Sequence, residues 1–341
     1  MRKLYRILLI DGGGIRGIIP AQVLVRLERK LQAKTGNENA RIADYFDFIA
    51  GTSTGGILAC VYLCPDYTGK KPKYTAEQAV KFYCDFGSKI FKKPKWYDYP
   101  AKIKTLLKYP KYSSSGLDEV LRQHVGDTKL NELLKPCLIT AYNIESRETV
   151  FLTQHDARST KKSNYYVRDV ARATSAAPTF FPPALIKPDA GRALSLIDGG
   201  VFANNPSMCA FAEARKKFNR KASNTVMLSL GTGKYNKCYP FREAHNWGSV
   251  QWILPLLDIM MSGVSETIDY QMQQLYESVD YHDDECAERT KQYLRVNADL
   301  PASSEMDDAS DANIDALVKL GEITANDCSS DLDDLVNLLI K

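Results

Sequence analysis

Ser53 has the surroundings of a catalytic nucleophile, because it lies in Gly51-Thr52-Ser53-Thr54-Gly55 with a glycine two residues away on each side. Apolar runs precede and follow this G-x-S-x-G motif, a pattern typical of a strand, a tight turn and a helix. The turn needs Gly51 and Gly55, since side chains at those positions would clash. It projects the serine hydroxyl beside a helix N-terminus, where developing negative charge is favoured. The alternative is a serine in an ordinary glycine-rich loop.

A serine hydroxyl needs a base to become a good nucleophile, and Asp198 is the candidate base. It ends an apolar run in LSLIDGG and is followed by Gly199 and Gly200. Ligands bind at the carboxyl ends of strands in α/β sheets, so a buried aspartate there is placed to accept the proton of Ser53. Burial beside residues 194–197 is expected to raise its pKa above the ordinary aspartate value of about 3.9. The alternative is an aspartate that caps the next turn.

Histidine is the usual base for a serine nucleophile, and the chain has four: His124, His155, His245 and His282. None stands in a glycine-bounded turn or at a clear strand end, so we interpret all four as surface or structural residues. A conventional triad that uses His245 or His282 as the base is the competing hypothesis.

The segment DGGGIRG (residues 11–17) supplies backbone N–H groups between a strand and a helix. The amides of Gly12, Gly13 and Gly14, with Arg16 beside them, are predicted to form an oxyanion hole for a tetrahedral intermediate. The same glycine spacing matches a dinucleotide-binding fingerprint. The strand before Ser53 ends without an acidic residue for a ribose, which argues against a nucleotide site.

The order of apolar runs predicts the elements that hold these residues, an alternation of strands and helices typical of α/β folds. A helix beginning near Pro20 carries Ile19, Val23, Leu27 and Leu31 on one face. Strands are predicted at residues 4–10, 45–50, 136–141, 148–153, 194–197 and 225–230. Further helices are predicted at residues 57–63, 204–217, 247–278, 311–320 and 331–340.

Composition indicates a globular protein, with 44% hydrophobic and 25% charged residues and a net charge of +4. No apolar run approaches the 18 or so residues of a transmembrane helix, and the run at residues 7–10 is too short for a signal peptide. Eight cysteines are scattered without the spacing of a metal site. We therefore predict a cytoplasmic protein with reduced thiols and no metal.

Residues 70–112 interleave twelve lysines with aromatic residues. Lysines and aromatic rings together suit anionic lipid headgroups, so this stretch predicts peripheral membrane contact. The alternative is a solvated insertion whose rings pack inward. No nucleic-acid recognition module accompanies it, and no nucleic-acid partner is predicted. The run WILPLLDIMM (residues 252–261) is interpreted as a core helix, with an acyl-chain wall as the alternative.

The motifs DGGGIRG, GTSTGG and DGG, in this order, resemble those of the patatin family of serine acyl hydrolases. The segments RIADYFDFIAGTSTGGILA, ATSAAPTFFPP, MLSLGTG and YLRVNADL extend the resemblance over most of the chain. It implies a three-layer α/β/α fold with a central, mostly parallel sheet. It also implies a dyad without histidine, in which Ser53 is the nucleophile, Asp198 is the base and Gly12–Gly14 form the oxyanion hole. One domain is expected over residues 1–341, with the catalytic motifs in 8–210 and a strand and helices of 211–341 completing it.

The activity implied by the resemblance is hydrolysis of fatty-acyl esters in membrane phospholipids or galactolipids, without a cofactor and through an acyl-enzyme. This covers phospholipase A, lysophospholipase and galactolipase chemistry. The alternatives are a storage or lipid-binding relative without catalysis and a nucleotide-activated antiviral phospholipase. No oligomeric state is predicted.

Overall fold

The first strand, β1 (Tyr5–Ile10), lies inside the protein because its side chains are apolar on both faces. Leu8 and Ile10 belong to one hydrophobic cluster, and Ile7 and Leu9 belong to another on the opposite face. A strand buried on both sides in this way is typical of a parallel sheet covered by helices.

The computed structural model describes residues 4–91, 110–235, 238–280, 291–301 and 304–341. The remaining strands in these ranges are β2 (Phe48–Gly51), β3 (Cys137–Asn143), β4 (Glu148–Thr153), β5 (Ala184–Ile186), β6 (Leu194–Asp198), β7 (Thr225–Leu230), β8 (Lys234–Tyr235), β9 (Tyr293–Val296) and β10 (Asp299–Leu300). The α-helices are α1 (Ile18–Thr35), α2 (Ile42–Tyr45), α3 (Thr54–Leu63), α4 (Ala76–Ile90), α5 (Ser115–Val125), α6 (Gln154–Ser159), α7 (Val167–Thr174), α8 (Gly200–Ala203), α9 (Ser207–Phe218), α10 (Phe241–Ala244), α11 (Ser249–Asp280), α12 (Asp311–Asp327) and α13 (Ser329–Leu339).

The sheet is mostly parallel at its centre and antiparallel on one side. Strand β1 lies between β2 and β7, β7 pairs with β9, and β2 pairs with β3, all in parallel. Strands β4 and β6 both pair with β3 in the antiparallel sense, and β5 pairs with β6. Strands β8 and β10 form a separate small sheet.

Helices cover both faces of the sheet. One core cluster takes its residues from α1, α3, α4, α5, α7, α12 and α13, and the other takes them from α9 and the C-terminal half of α11. The result is the α/β/α arrangement of three layers, so the predicted fold class is confirmed. The part after residue 210 contributes β7 and β9 to the sheet and packs α12 against α1.

Several element boundaries differ from those predicted. The strand predicted at 45–50 begins only at Phe48, because Tyr45 is the last residue of α2. The helix that was predicted to begin at residue 57 begins at Thr54, because Gly55 and Gly56 belong to its first turn. Helices α4, α5 and α7 lie in stretches for which no helix was predicted.

The interpretation of residues 252–261 as a core helix is wrong. Trp252, Ile253 and Leu256 are 38%, 41% and 49% exposed, and Ile259 and Met260 are similarly exposed. The helix does form here, but its apolar face is not covered by the described part of the protein.

The lysine-rich stretch 70–112 is described at its two ends, and Trp96, Tyr97 and Tyr99 lie outside the described residues. Phe82 of α4 is buried, and its ring contacts those of Tyr83 and Phe86. These described rings therefore pack inward, as the alternative interpretation expected. Across the described ranges no helix is both long and apolar enough to cross a lipid bilayer.

Candidate active site

Ser53 occupies a strained turn between β2 and α3. Its backbone angles are φ 54° and ψ −122°, in the left-handed half of the backbone map that non-glycine residues avoid. Its N–H donates a hydrogen bond to Thr174 Oγ1 at 2.9 Å. A methyl group on Gly51 would clash with the backbone of Gly55, and one on Gly55 would clash with the Ile10 carbonyl. Both predicted glycines therefore permit the close approach of α3 to the sheet.

The sheet brings Ser53 and Asp198 together by an arrangement that the sequence did not predict. Strand β4 pairs with β3 along residues 138–143 and occupies one of its two edges. Strands β2 and β6 therefore share the other edge, with Gly51 opposite Ile139 and Asp198 opposite Ala141. Strand β2 is parallel to β3, and β6 is antiparallel to it. Strands β2 and β6 therefore run toward each other, and their carboxyl ends meet. Asp198 thus reaches the site from a reversed strand rather than from a neighbouring parallel one.

Asp198 is buried beside Ser53. The residue is 4% exposed, and its Oδ1 accepts the Gly200 N–H at 2.7 Å. Burial raises the pKa of Asp198 to about 7, against the opposing effects of the neighbouring Ser53 side chain and the Gly200 N–H. The expected burial of Asp198 and the expected rise in its pKa are therefore both found.

The glycine turn after β1 lies directly against Ser53. A methyl group on Gly12 would be 3.2 Å from Ser53 Cβ and would clash with Asn204 Oδ1. Gly14 has φ 60° and packs against the Met306 carbonyl, so this position also favours glycine. Arg16 is buried, and its Nε donates to the Gly13 carbonyl at 3.3 Å. Arg16 therefore helps to hold the shape of the turn.

The structure differs from the expectation of three available amides in this turn. The Gly12 N–H already donates to the Asn204 carbonyl at 3.1 Å. An amide with a protein partner is a poor donor to a substrate oxyanion, which leaves Gly13 and Gly14 as the candidates.

Two residues of the site were not predicted from the sequence. Asn204 is 7% exposed, its Nδ2 donates to Ser265 Oγ at 3.0 Å, and its buried Oδ1 has no partner among the described residues. Arg295 of β9 pairs with Asp11, the residue that begins the glycine turn. Asn204 lies only six residues after Asp198, but this spacing alone does not identify it as a residue of the site.

A cavity of about 250 Å³ adjoins the glycine turn. Its lining includes Gly12, Arg16 and Asn204 on one side and Met261 and Ser265 of α11 on the other. Ser53 and Asp198 do not line this cavity, but Gly12 does, and a Cβ at Gly12 would lie 3.2 Å from Ser53 Cβ, so the cavity ends beside the serine.

The described histidines have partners other than Ser53. His124 Nδ1 lies 2.9 Å from the Val120 carbonyl, His155 Nε2 lies 2.8 Å from Glu213 Oε1, and the exposed His245 ring rests on Phe241. His282 lies outside the described residues. Within the described ranges, the structure therefore gives no support to a histidine base.

His155 and Glu213, together with Asp156, form a group that has metal-ligand chemistry. Lys217 Nζ is 2.8 Å from Asp156 Oδ1, so an ammonium group already neutralises that carboxylate. We interpret the cluster as a structural group that contains the Lys217–Asp156 ion pair and the His155–Glu213 hydrogen bond.

We expect loss of Arg295 to destabilise the fold strongly, because the buried Asp11 carboxyl group would lose the partner that compensates for its burial. The two side chains are 10% and 3% exposed, and two hydrogen bonds of 3.0 and 2.6 Å join them. Removing one member of such a pair lowers the free energy of unfolding by about 3–5 kcal/mol. Urea unfolding of Arg295→Met measures this, with the exposed Arg192→Met as the matched control. A loss below about 1 kcal/mol, the range of surface ion pairs, would contradict the prediction.

Known proteins match most of this chain. A family model described as patatin-like phospholipase matches residues 8–210. Patatin-like protein 2 of Oryza sativa subsp. indica is 33% identical over 350 residues, covering 94% of this chain and 84% of that protein. Patatin-like protein 3 of Arabidopsis thaliana is 32% identical over 354 residues, covering 94% and 80%. A Solanum tuberosum protein named probable inactive patatin-3-Kuras 1 is 33% identical over 341 residues, covering 94% and 86%.

The matched region contains Ser53, Asp198 and the glycine turn, and the similarity extends over nearly the whole chain. These matches show that the chain belongs to the patatin-like phospholipase family.

Proposed function

We propose that this protein is a lipid acyl hydrolase that cleaves fatty-acyl esters with Ser53 as nucleophile and Asp198 as general base. The observation that carries the proposal is that the carboxyl ends of β2 and β6 meet, which places Ser53 beside a buried aspartate whose pKa is raised to about 7. Family membership supports a lipid ester as the substrate. One matched relative is named probable inactive, so membership alone does not establish activity.

In the proposed first step, the ionised Asp198 carboxylate takes the Ser53 hydroxyl proton while Oγ attacks the ester carbonyl carbon. The carbonyl oxygen becomes an oxyanion, and the Gly13 and Gly14 amides are the proposed donors to it, beside the N-terminus of α3. Collapse of this intermediate breaks the bond to the alcohol, and the alcohol oxygen receives the proton from Asp198. The products are an acyl-Ser53 ester and a deacylated lipid.

In the proposed second step, a water molecule replaces the departed alcohol. Asp198 takes a proton from that water as its oxygen attacks the acyl carbon, and the same amides stabilise the second oxyanion. Collapse returns the proton to Ser53 Oγ and releases the fatty acid. One carboxylate with a pKa near 7 serves both directions of proton transfer, as general acid–base catalysis requires.

Fatty-acid release from vesicles tests this proposal. We expect the wild-type protein to hydrolyse at least one of phosphatidylcholine, lysophosphatidylcholine and monogalactosyl diacylglycerol, and the relative rates will rank the headgroups. The Ser53→Ala variant is the blank for contaminating lipases. A folded wild-type protein without activity on any of the three lipids would favour a non-catalytic relative and contradict the proposal.

A further inference from the structure

The side-chain amide of Asn204 is held at one end and unpaired at the other. Its Nδ2 donates to Ser265 Oγ at 3.0 Å, and its backbone carbonyl accepts the Gly12 N–H at 3.1 Å. The residue is 7% exposed, and its buried Oδ1 has no hydrogen-bond partner among the described residues. Buried polar atoms are nearly always hydrogen-bonded, so an unpaired acceptor at a candidate active site indicates a molecule that the site binds.

The unpaired oxygen of Asn204 lies close to both residues of the proposed dyad. A Cβ on Gly12 would clash with Asn204 Oδ1 and would be 3.2 Å from Ser53 Cβ. A Cβ on Gly200 would be 3.5 Å from Asn204 Oδ1 and 3.1 Å from Asp198 Oδ1. Asn204 Oδ1 is therefore separated from Ser53 on one side, and from Asp198 on the other, only by a position that carries no side chain.

Asn204 also lines the cavity of about 250 Å³ beside the glycine turn. Hydroxyl-bearing residues of the same lining include Thr232, Ser262 and Ser265. A water molecule occupies about 30 Å³ in the liquid and is held in a protein by a few polar partners, so a polar cavity of this size holds water. Asn204 therefore borders both a space suited to water and the proposed dyad.

An acceptor at this place distinguishes the two steps of the proposed reaction. During acylation, the oxygen beside Asp198 is the ester oxygen of the leaving alcohol, which carries no hydrogen and cannot donate to Asn204 Oδ1. During deacylation, that oxygen belongs to water, which has two hydrogens. One is transferred to Asp198, and the other needs an acceptor nearby. The unpaired oxygen of Asn204 therefore matches the needs of the attacking water.

We propose that Asn204 is a third catalytic residue, whose Oδ1 binds and orients the water that hydrolyses acyl-Ser53. The proposal rests on the proposed function and assigns a residue to its second step. The water oxygen bonds to the acyl carbon, Asp198 takes one proton, and the other hydrogen stays on that oxygen and donates to Asn204 Oδ1. When the bond from the acyl carbon to Ser53 Oγ breaks, Oγ keeps the electron pair and receives the proton from Asp198. The retained hydrogen leaves with the fatty acid. The bond from Asn204 Nδ2 to Ser265 Oγ fixes which end of the amide is free for water.

Separate rates for the two steps test this role with p-nitrophenyl butyrate, a soluble ester. Stopped-flow release of p-nitrophenol measures acylation, and mass spectrometry of the quenched intact protein measures the decay of the acyl-enzyme. In Asn204→Ala, deacylation is expected to slow at least about tenfold through loss of a hydrogen bond, and acylation is expected to stay within about threefold of wild type. The acyl-enzyme then accumulates. The matched control is Asn39→Ala, an exposed asparagine that should change neither rate. Equal slowing of the two steps, or deacylation at the wild-type rate, would overturn the proposal.

Competition between water and methanol gives a readout that a merely structural role of Asn204 would not change. Both nucleophiles attack the same acyl-enzyme, but methanol has a single O–H hydrogen, which goes to Asp198, and it does not need the second acceptor. Asn204→Leu keeps the branched shape of the side chain without an acceptor. The ratio of methyl ester to fatty acid is expected to rise at least about tenfold in both Asn204→Leu and Asn204→Ala. An unchanged ratio would overturn the proposal, and so would a rise in Asn204→Ala alone, since added space would then explain it. If the leucine variant does not fold, the separate rates of Asn204→Ala decide the question.

Failure of the Asn204 proposal and failure of the proposed function give different results. A wild-type protein that forms and hydrolyses acyl-Ser53, with Asn204 variants that deacylate at the wild-type rate, overturns the role of Asn204 alone. A folded wild-type protein that forms no acyl-enzyme with this ester and releases no fatty acid from lipid contradicts the proposed function, and the role of Asn204 in it is then wrong as well.

Discussion

Replacement of Ser53 with alanine is expected to reduce lipid hydrolysis by about 10⁴-fold or more, because the attacking oxygen is removed. The substitution removes one buried hydroxyl group and retains the backbone hydrogen bond from the Ser53 N–H to Thr174. A backbone φ of 54° is as unfavourable for alanine as for serine, so the substitution neither relieves nor adds backbone strain. Initial rates of fatty-acid release, measured with equal concentrations of folded protein, test this prediction.

The matched control for this variant is Ser159→Ala, which removes an exposed hydroxyl at the end of α6. We expect the control to retain wild-type activity. Hydrolysis by Ser53→Ala within about tenfold of the wild-type rate would show that another residue is the nucleophile.

Replacement of Asp198 with asparagine is expected to reduce kcat by about 10³-fold or more, because the amide cannot accept the serine proton. In the wild-type protein, kcat/KM is expected to rise with pH and to level off above the Asp198 pKa of about 7, since the ionised form is the base. The residual activity of Asp198→Asn should not show this rise of kcat/KM with pH. A wild-type profile that is flat between pH 5 and pH 9 would contradict the role of Asp198.

The stability of Asp198→Asn separates loss of catalysis from loss of folding. Burial raises the Asp198 pKa from 3.8 to about 7, so the folded protein holds its proton more tightly than the unfolded chain does. Asp198 therefore destabilises the folded wild-type protein progressively as the pH rises from 3.8 to about 7. At lower pH the carboxyl group is protonated in both the folded and the unfolded chain, and it has no such effect. Asparagine carries no charge, and we expect the Tm of the variant to exceed that of wild type at pH 8 but not at pH 3.5. A lower Tm for the variant at pH 8 would contradict this.

The competing histidine mechanism predicts a different pattern. In that case His245→Ala or His282→Ala would lose as much activity as Ser53→Ala. The proposed dyad predicts that both histidine variants keep activity within about twofold of wild type, since the aspartate receives the proton directly.

The central strands and the serine turn could be predicted because each has a local signal. The apolar runs of β1 and β7 are followed by Asp11 and Gly231, and each strand ends at the residue before. Gly51 and Gly55 around Ser53 indicate a tight turn, since no larger residue fits against the neighbouring backbone. The burial of Asp198 follows from the apolar residues that precede it in β6.

Other features depend on contacts between distant residues and have no local signal. Alternation of apolar residues does not determine strand direction, so the antiparallel placement of β6 was not predicted. Asp11 and Arg295 are 284 residues apart, and they meet only because β7 pairs with β1 on one side and with β9 on the other. Met and Leu at helical spacing usually indicate a core helix. In α11 the neighbouring elements cover the C-terminal half, and the stripe at residues 252–260 remains exposed.

Reaction with a fluorophosphonate is the most direct test of the central claim, because it modifies activated serines and mimics the tetrahedral intermediate. After digestion, mass spectrometry identifies the modified peptide. We predict one phosphonyl group per wild-type chain, attached to Ser53, with no labelling of Ser53→Ala and slow labelling of Asp198→Asn. A folded wild-type protein that hydrolyses lipid and is labelled at another residue, or not at all, would contradict the proposed mechanism.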